Sequence, residues 1–278
     1  MSIIYSIKTK KIIKLKDIFD NFIKKYPNLS AVEEDENNVF FYLNGMSIRG
    51  VSVILNKTKY EIKSNTLSNK YDLLLTNDIL KYLSETTHGK VYDDENNILH
   101  DNEVIKENDL EKYFERDLET IFLFIKETGK TIEFPGTTRS FFIGKKMYLA
   151  YKDFSKKMLL EVLQKIILNV LYGLPDYYEC SPMGAQGKED DKIIKLKSIS
   201  SDNNYIIQDY DYIMINNNDN KEILMISREK ICEILPDKWQ IVDETTIVAQ
   251  KLSQNEWNNF IDICKKNNCY NKFKEEAK

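Results

Sequence analysis

The chain has 278 residues, of which 42% are hydrophobic, 30% charged and 12% aromatic, with a formal net charge of −4. So much apolar and aromatic material excludes global disorder, and five prolines and nine glycines leave little room for long flexible linkers. The mild acidity leaves no concentrated basic face, so no nucleic-acid partner is expected.

Ile3, Tyr5 and Ile7 alternate with Ile4 and Ser6 and predict a first strand. Leu15, Ile18, Phe19, Phe22, Ile23 and Tyr26 have helical spacing, with Pro27 after the end. Residues 33–38 are polar and acidic and read as a loop. Residues 39–43 and 46–55 read as strands joined at Asn44-Gly45, a strong hairpin signal. Tyr60, Ile62 and Ser64 alternate with charged residues, as a half-exposed strand does. Ile79, Leu80, Tyr82 and Leu83 predict a short helix, capped by Thr76 or Asn77 and closed at Gly89, before a short strand at Val91-Tyr92. The order β-α-β-β-β-α-β predicts an α+β fold: mainly antiparallel sheets with helices packed on their faces. The polar stretch 93–107 marks the expected boundary between an N-terminal α+β domain, 1–105, and a C-terminal α+β domain, 106–278.

Asn108 to Glu111 resembles a capping box, and Leu110, Phe114, Leu118, Ile121, Phe122 and Ile125 form a long apolar stripe ending at Gly129. Strands are expected at 131–134, 140–143 and 147–151. They lead into a helix over 155–172 with two adjacent apolar strips: Leu159, Val162, Leu163, Ile166 and Val170, and beside them Leu160, Ile167 and Leu171. One strip is enough for a surface helix, so this one is expected to be the long central helix and the most buried. Glu161, Gln164 and Lys165 interrupt it, so it is no membrane span. The last hundred residues read mostly as strands, at 193–199, 205–208, 211–215, 223–226, 239–242 and 245–250, with a short helix at 228–235. Ser253 and Glu256 form a capping box for a final helix that buries Trp257, Phe260, Ile261 and Cys264, and the tail after Asn271 is expected to fray.

Catalytic signatures are scarce. There are two histidines: His88 at a predicted helix end, where a cation complements the dipole, and His100 in the polar boundary. Neither H-E-x-x-H nor C-x-x-C occurs, so no metal and no cofactor are expected. The four cysteines, Cys180, Cys232, Cys264 and Cys269, read as reduced thiols in a chain whose N-terminus has no apolar signal core. That places the protein in the cytoplasm as an expectation. Ser181 to Lys188 holds two glycines and a lysine but lacks P-loop spacing, and Glu189 and Asp190 follow where a phosphate would be repelled. It reads as a surface loop.

Two kinds of binding residue stand out. Arg139, on the turn Pro135-Gly-Thr-Thr-Arg139, and Lys145-Lys146 after it offer an anion or acidic-partner site; the competing reading ties Arg139 to a nearby carboxylate or backbone carbonyl. Glu34, Asp35 and Glu36, with Glu189, Asp190 and Asp191, form acidic loops able to steer a basic protein surface.

The segment Thr87-His-Gly-Lys-Val-Tyr92-Asp-Asp, with the helix before it, and the pattern P-G-x-x-R-x-F-x-I-G over Pro135 to Gly144 resemble segments of uncharacterised bacterial families, some of which sit among polymorphic-toxin immunity proteins. The resemblance spans residues 71–151 and carries no catalytic residues. It implies a cytoplasmic, non-catalytic protein that neutralises a toxin by binding it. The expected function is therefore a cytosolic binding protein with a protein partner, such as a toxin domain, and with no membrane span. A hydrolase or transferase without a local motif, or a small-ligand sensor, stays open as the alternative.

Overall fold

Asn69 opens the most deeply buried helix of the protein. In the computed structural model, which describes residues 2–99, 105–106, 109–174, 176–188, 192–216 and 223–278, helix α2 runs Lys70–Thr87. Asn69 accepts from the amides of Tyr71 and Asp72, and Asp72 answers by accepting from the Asn69 amide, a capping box. Leu73, Leu75, Ile79, Leu80 and Leu83 bury its apolar face, and His88 in the left-handed region (φ 52°) ends it. The expected helix is thus longer and starts at Asn69, before Thr76 or Asn77. The exposed His88 does stand at its C-terminus.

Eight helices occur among the described residues, with 37% helix and 30% strand overall, and the sheets are mostly antiparallel. The fold class is α+β, as the element order predicts. The chain divides into two compact units, Met1–Gly173 and Leu174–Lys278.

The first unit is built on a seven-stranded sheet. Its strands are β1 Ile3–Lys8, β2 Leu29–Asp35, β3 Asn38–Leu43, β4 Val51–Asn56, β5 Lys59–Ser64, β6 Lys90–Tyr92 and β7 Ile98–Leu99, in the order β2-β3-β4-β5-β1-β6-β7. Helix α1, Leu15–Phe22, and α2 bury apolar residues in the same core as the sheet's Ile7, Phe41, Val53, Tyr60 and Ile62. Asn44-Gly45 does turn the chain, with Gly45 at φ 79°. However, β4 starts only at Val51, so β3 and β4 are joined by a longer loop. Helix α3, Leu110–Thr128, packs on α2 and ends at Gly129 in the left-handed region. Ile105 and Leu110 join the first core, and the Asp117 carboxylate accepts from the Leu67 amide at 2.9 Å. These contacts carry the first core across the expected boundary at 105/106, and the chain divides after Gly173 instead. Asn108 and His100 lie outside the described residues.

A hairpin of β8, Ile132–Pro135, and β9, Ser140–Ile143, follows. Residues 147–151, expected as a strand, lie in helix α4, Lys145–Tyr151. The helix expected over 155–172 is present as α5, Lys156–Tyr172, with Ser155 accepting from the Met158 amide. It is not the most buried. Only Leu163, Ile167, Val170 and Leu171 are buried, while Leu159, Leu160, Val162 and Ile166 are half-exposed. Each strip gives two residues to the core, Leu163 and Val170 from one and Ile167 and Leu171 from the other, and the remaining members reach the surface. Pro175 lies outside the described residues.

The second unit holds two four-stranded sheets. One has the order β10-β13-β17-β16, from Tyr178–Glu179, Tyr205–Ile207, Ile247–Ala249 and Gln240–Ile241. The other has the order β11-β12-β14-β15, from Met183–Gln186, Ile193–Ile199, Tyr212–Asn216 and Ile223–Ser227. The expected surface loop therefore contains strand β11, paired with β12. Helix α6 spans Arg228–Glu233, and α7 spans Gln254–Lys266 with the predicted capping box of Ser253 and Glu256. Trp257, Phe260, Ile261 and Cys264 are buried, as their spacing predicts. The tail does not fray: α8, Tyr270–Glu276, packs on β15, and the Lys278 amide donates to the Gln186 carbonyl at 2.8 Å.

Candidate protein-binding edge

Strand β2 ends its sheet. Among the described residues it pairs with β3 alone, Leu29 opposite Leu43, Ala31 opposite Phe41 and Glu33 opposite Val39. Those β3 partners are buried beneath the helices, Leu43 at 2%, Phe41 at 1% and Val39 at 6% exposure. On β2 only Leu29 is buried, and Ala31 and Glu33 on the same face are exposed. The cover given by the helices therefore reaches the start of the edge strand at Leu29 and stops before Ala31. On the opposite face Val32, across from Phe40, is 49% exposed.

Helix α1 forms the wall beside this uncovered strip. Leu15, Ile18 and Phe22 turn into the core, while Lys16 is exposed and Phe19 half-exposed. A groove of about 510 Å³ runs between them, lined by Leu15, Lys16, Phe19, Ala31, Glu33 and Val39. Its walls are mixed, with the charged Lys16 and Glu33 beside apolar Leu15, Phe19, Ala31 and Val39.

The far end of the strand is acidic. Residues 33–35, predicted as loop, are the exposed end of β2, and the turn at Glu36-Asn37 leads into β3. The pairing register shifts between Glu33 and Asp35, a bulge. Asp35 accepts from the Asn37 amide at 2.7 Å, Glu34 accepts from the Asn38 side chain, and Glu36 accepts from the Asn37 side chain at 3.3 Å. Among the described residues no lysine or arginine pairs with Glu33, Glu34, Asp35 or Glu36. Glu34, Asp35 and Glu36 are thus held by local amides, and no ion pair is formed with the four carboxylates among the described residues, although Lys16 lines the groove with Glu33. Glu189, Asp190 and Asp191, the other expected acidic loop, lie outside the described residues.

The basic residues go elsewhere. Arg139 sits at the C-terminus of α5, where its Nη1 donates to the Val170 carbonyl at 3.0 Å and Thr138 donates to the Leu171 carbonyl at 2.6 Å. The turn serves helix carbonyls left without intrahelical partners. This is the backbone-carbonyl reading of Arg139. Lys145 and Lys146 are exposed in the first turn of α4.

The second unit has two polar clefts that share Lys192, Ile194 and Glu276, of about 380 and 260 Å³. Tyr212 donates to Glu276 Oε2 at 2.6 Å there, which ties α8 to the sheet. The four cysteines are free; burial pushes the Cys180 and Cys264 thiols up to about 12, so both stay protonated at neutral pH. Among the described residues no helix is long and apolar enough to cross a membrane.

The groove escapes sequence reading because it depends on which strand lies beside β2. The one available signal was the alternation Leu29, Ala31, Glu33, whose small and then charged members mark a face losing its cover. Comparison with protein-family models, with curated proteins and with solved structures finds no match to this chain.

Proposed function

We propose that the protein is a non-catalytic, cytoplasmic binding protein that holds a basic protein partner at the β2 edge, as an immunity protein neutralises a toxin by direct contact. The observation that carries this reading is the row Glu33, Glu34, Asp35 and Glu36 at the tip of an edge strand, with no cation paired to it among the described residues. Exposed charges of one sign steer a complementary partner and mainly raise the association rate. Leu15, Phe19 and Val39 in the groove beside them supply apolar area that contact can desolvate, where affinity is concentrated. The two resembling segments agree with an immunity-type role, and the helix-end bonds of Arg139 support a structural use of the second one.

The test compares the wild type with a variant carrying Glu33→Gln, Glu34→Gln, Asp35→Asn and Glu36→Gln. A basic protein retained by the wild type and lost by the variant is expected, and its purified form should associate with the variant slower by on the order of tenfold. The same association should weaken with salt in the wild type and much less in the variant. An association rate that neutralisation leaves unmoved overturns the reading.

A further inference from the structure

We infer that the partner is received as an added β-strand: a basic, extended segment of another protein pairs with β2 and continues the seven-stranded sheet. The inference rests on the protein-binding reading above and specifies how contact is made.

Three features of β2 converge. The first is its open side. Strand β3 takes one row of backbone groups from Leu29 to Asp35, and no described strand takes the other, of which only the Leu29 amide is used locally, donating to the Tyr26 carbonyl at 2.9 Å. Such a row is a template for main-chain pairing. The second is the unfinished face beneath it. Side chains of an added strand alternate between faces. One set would fall beside exposed Ala31 and Glu33, into the groove walled by Leu15, Lys16 and Phe19, so its apolar members belong next to Leu15 and Phe19 and its cations next to Glu33. The other set would fall beside Val32, already 49% exposed. An added strand would complete the cover over both.

The third is charge. Carboxylates on an edge are a common guard against indiscriminate pairing, as is a bulge. Here the guard is selective. Like charges placed opposite one another destabilise a pair of strands, and opposite charges stabilise it. The edge thus disfavours an acidic strand and favours one carrying lysine or arginine opposite Glu33, with Glu34 at the bulge beyond it. A second copy of this chain brings no counter-charge on its own β2 edge. The shift of register between Glu33 and Asp35 also limits the regular ladder to the part of β2 before it, leaving the acidic tip to act at longer range.

The test uses the full chain and a synthetic peptide of alternating lysine and valine. A twin peptide carries N-methyl groups along one backbone edge, which removes the donors on that side and keeps charge and side chains. The plain peptide is expected to slow amide exchange in β2. The twin should bind about tenfold more weakly, as loss of one or two net hydrogen bonds requires. Ala31→Trp, at an exposed position, fills the groove and should also weaken the plain peptide. Several results overturn the inference: equal binding of both peptides, binding of neither, an Ala31→Trp variant with unchanged affinity, or a dimer that protects β2 without peptide. Equal binding of the two peptides, with loss of both on neutralising the carboxylates, would overturn strand addition alone and leave the protein-binding reading standing.

Discussion

Asp72 gathers the polar connections of the first core. It is fully buried and accepts from the amides of Ile48 at 3.2 Å, Arg49 at 2.9 Å, Gly50 at 2.9 Å and Asn69 at 3.0 Å. Burial pushes its carboxyl above the ordinary range, and the amide bonds oppose that push. Gly50 turns the loop at φ 61°, where a Cβ would run into the Phe40 ring and meet the Phe41 carbonyl at 2.8 Å, so glycine is required. Replacing Asp72 by Ala leaves these buried amides without their acceptor, at about 1–3 kcal/mol for each group left unpaired. Asp72→Asn keeps one acceptor oxygen and should cost less. Denaturant midpoints check the order, and an unchanged midpoint for Asp72→Ala would refute the role. Glu256 gives a pH test. Lys238, then the Ser253 amide and hydroxyl, hold its carboxyl down to about 2 from an ordinary 4.5. A depressed folded-state pKa contributes stability above the unfolded value, and that contribution disappears as pH falls from about 4.5 through about 2. The wild type and Glu256→Gln should therefore converge in melting temperature across this window. Parallel curves would show that the box does not sense the charge.

At the scale of elements, α5 separates burial from hydrophobicity. Leu163 is fully buried, so Leu163→Ala should cost about 2–5 kcal/mol. Ile166 is half-exposed and should cost distinctly less, although both lie on the same predicted strip. Equal shifts in denaturant midpoint would return α5 to the centre of the core. The contrast explains what was legible in the sequence. Helices α3 and α7 were readable because stripe and terminal residues agree: Gly129 ends one and Ser253 with Glu256 starts the other. Helix α4 reads as a strand because Met147, Tyr148 and Leu149 form a short apolar run, which periodicity alone cannot assign. Strand β2 was hidden for the opposite reason. An edge strand exposed on both faces has no apolar alternation to show, and Glu33 to Asp35 look like a loop. The acidic residues of the candidate site were visible, but the groove was not. It is made by α1, β2 and β3 together.

For the whole molecule, the division after Gly173 separates the core of the seven-stranded sheet from the buried clusters of the second unit. Leu80 belongs to the core built with the seven-stranded sheet, and Ile213 to the one built around Trp239, Trp257 and Phe260. Both are fully buried, so each Ala substitution removes a comparable amount of packing, about 2–5 kcal/mol. The loss should register first where the contacts are. Stability differs between cooperative parts of a chain, and amide exchange reports each part separately. Leu80→Ala should speed exchange mainly in α2 and β5, and Ile213→Ala mainly in β12 and β14. The comparison also bears on the edge, because β2 shares its core with Leu80. Leu80→Ala should therefore loosen β2 and weaken peptide capture there, while Ile213→Ala leaves capture intact. If either substitution speeds exchange equally in both units, the chain opens as one cooperative body, and the two cores have no separate energetic meaning.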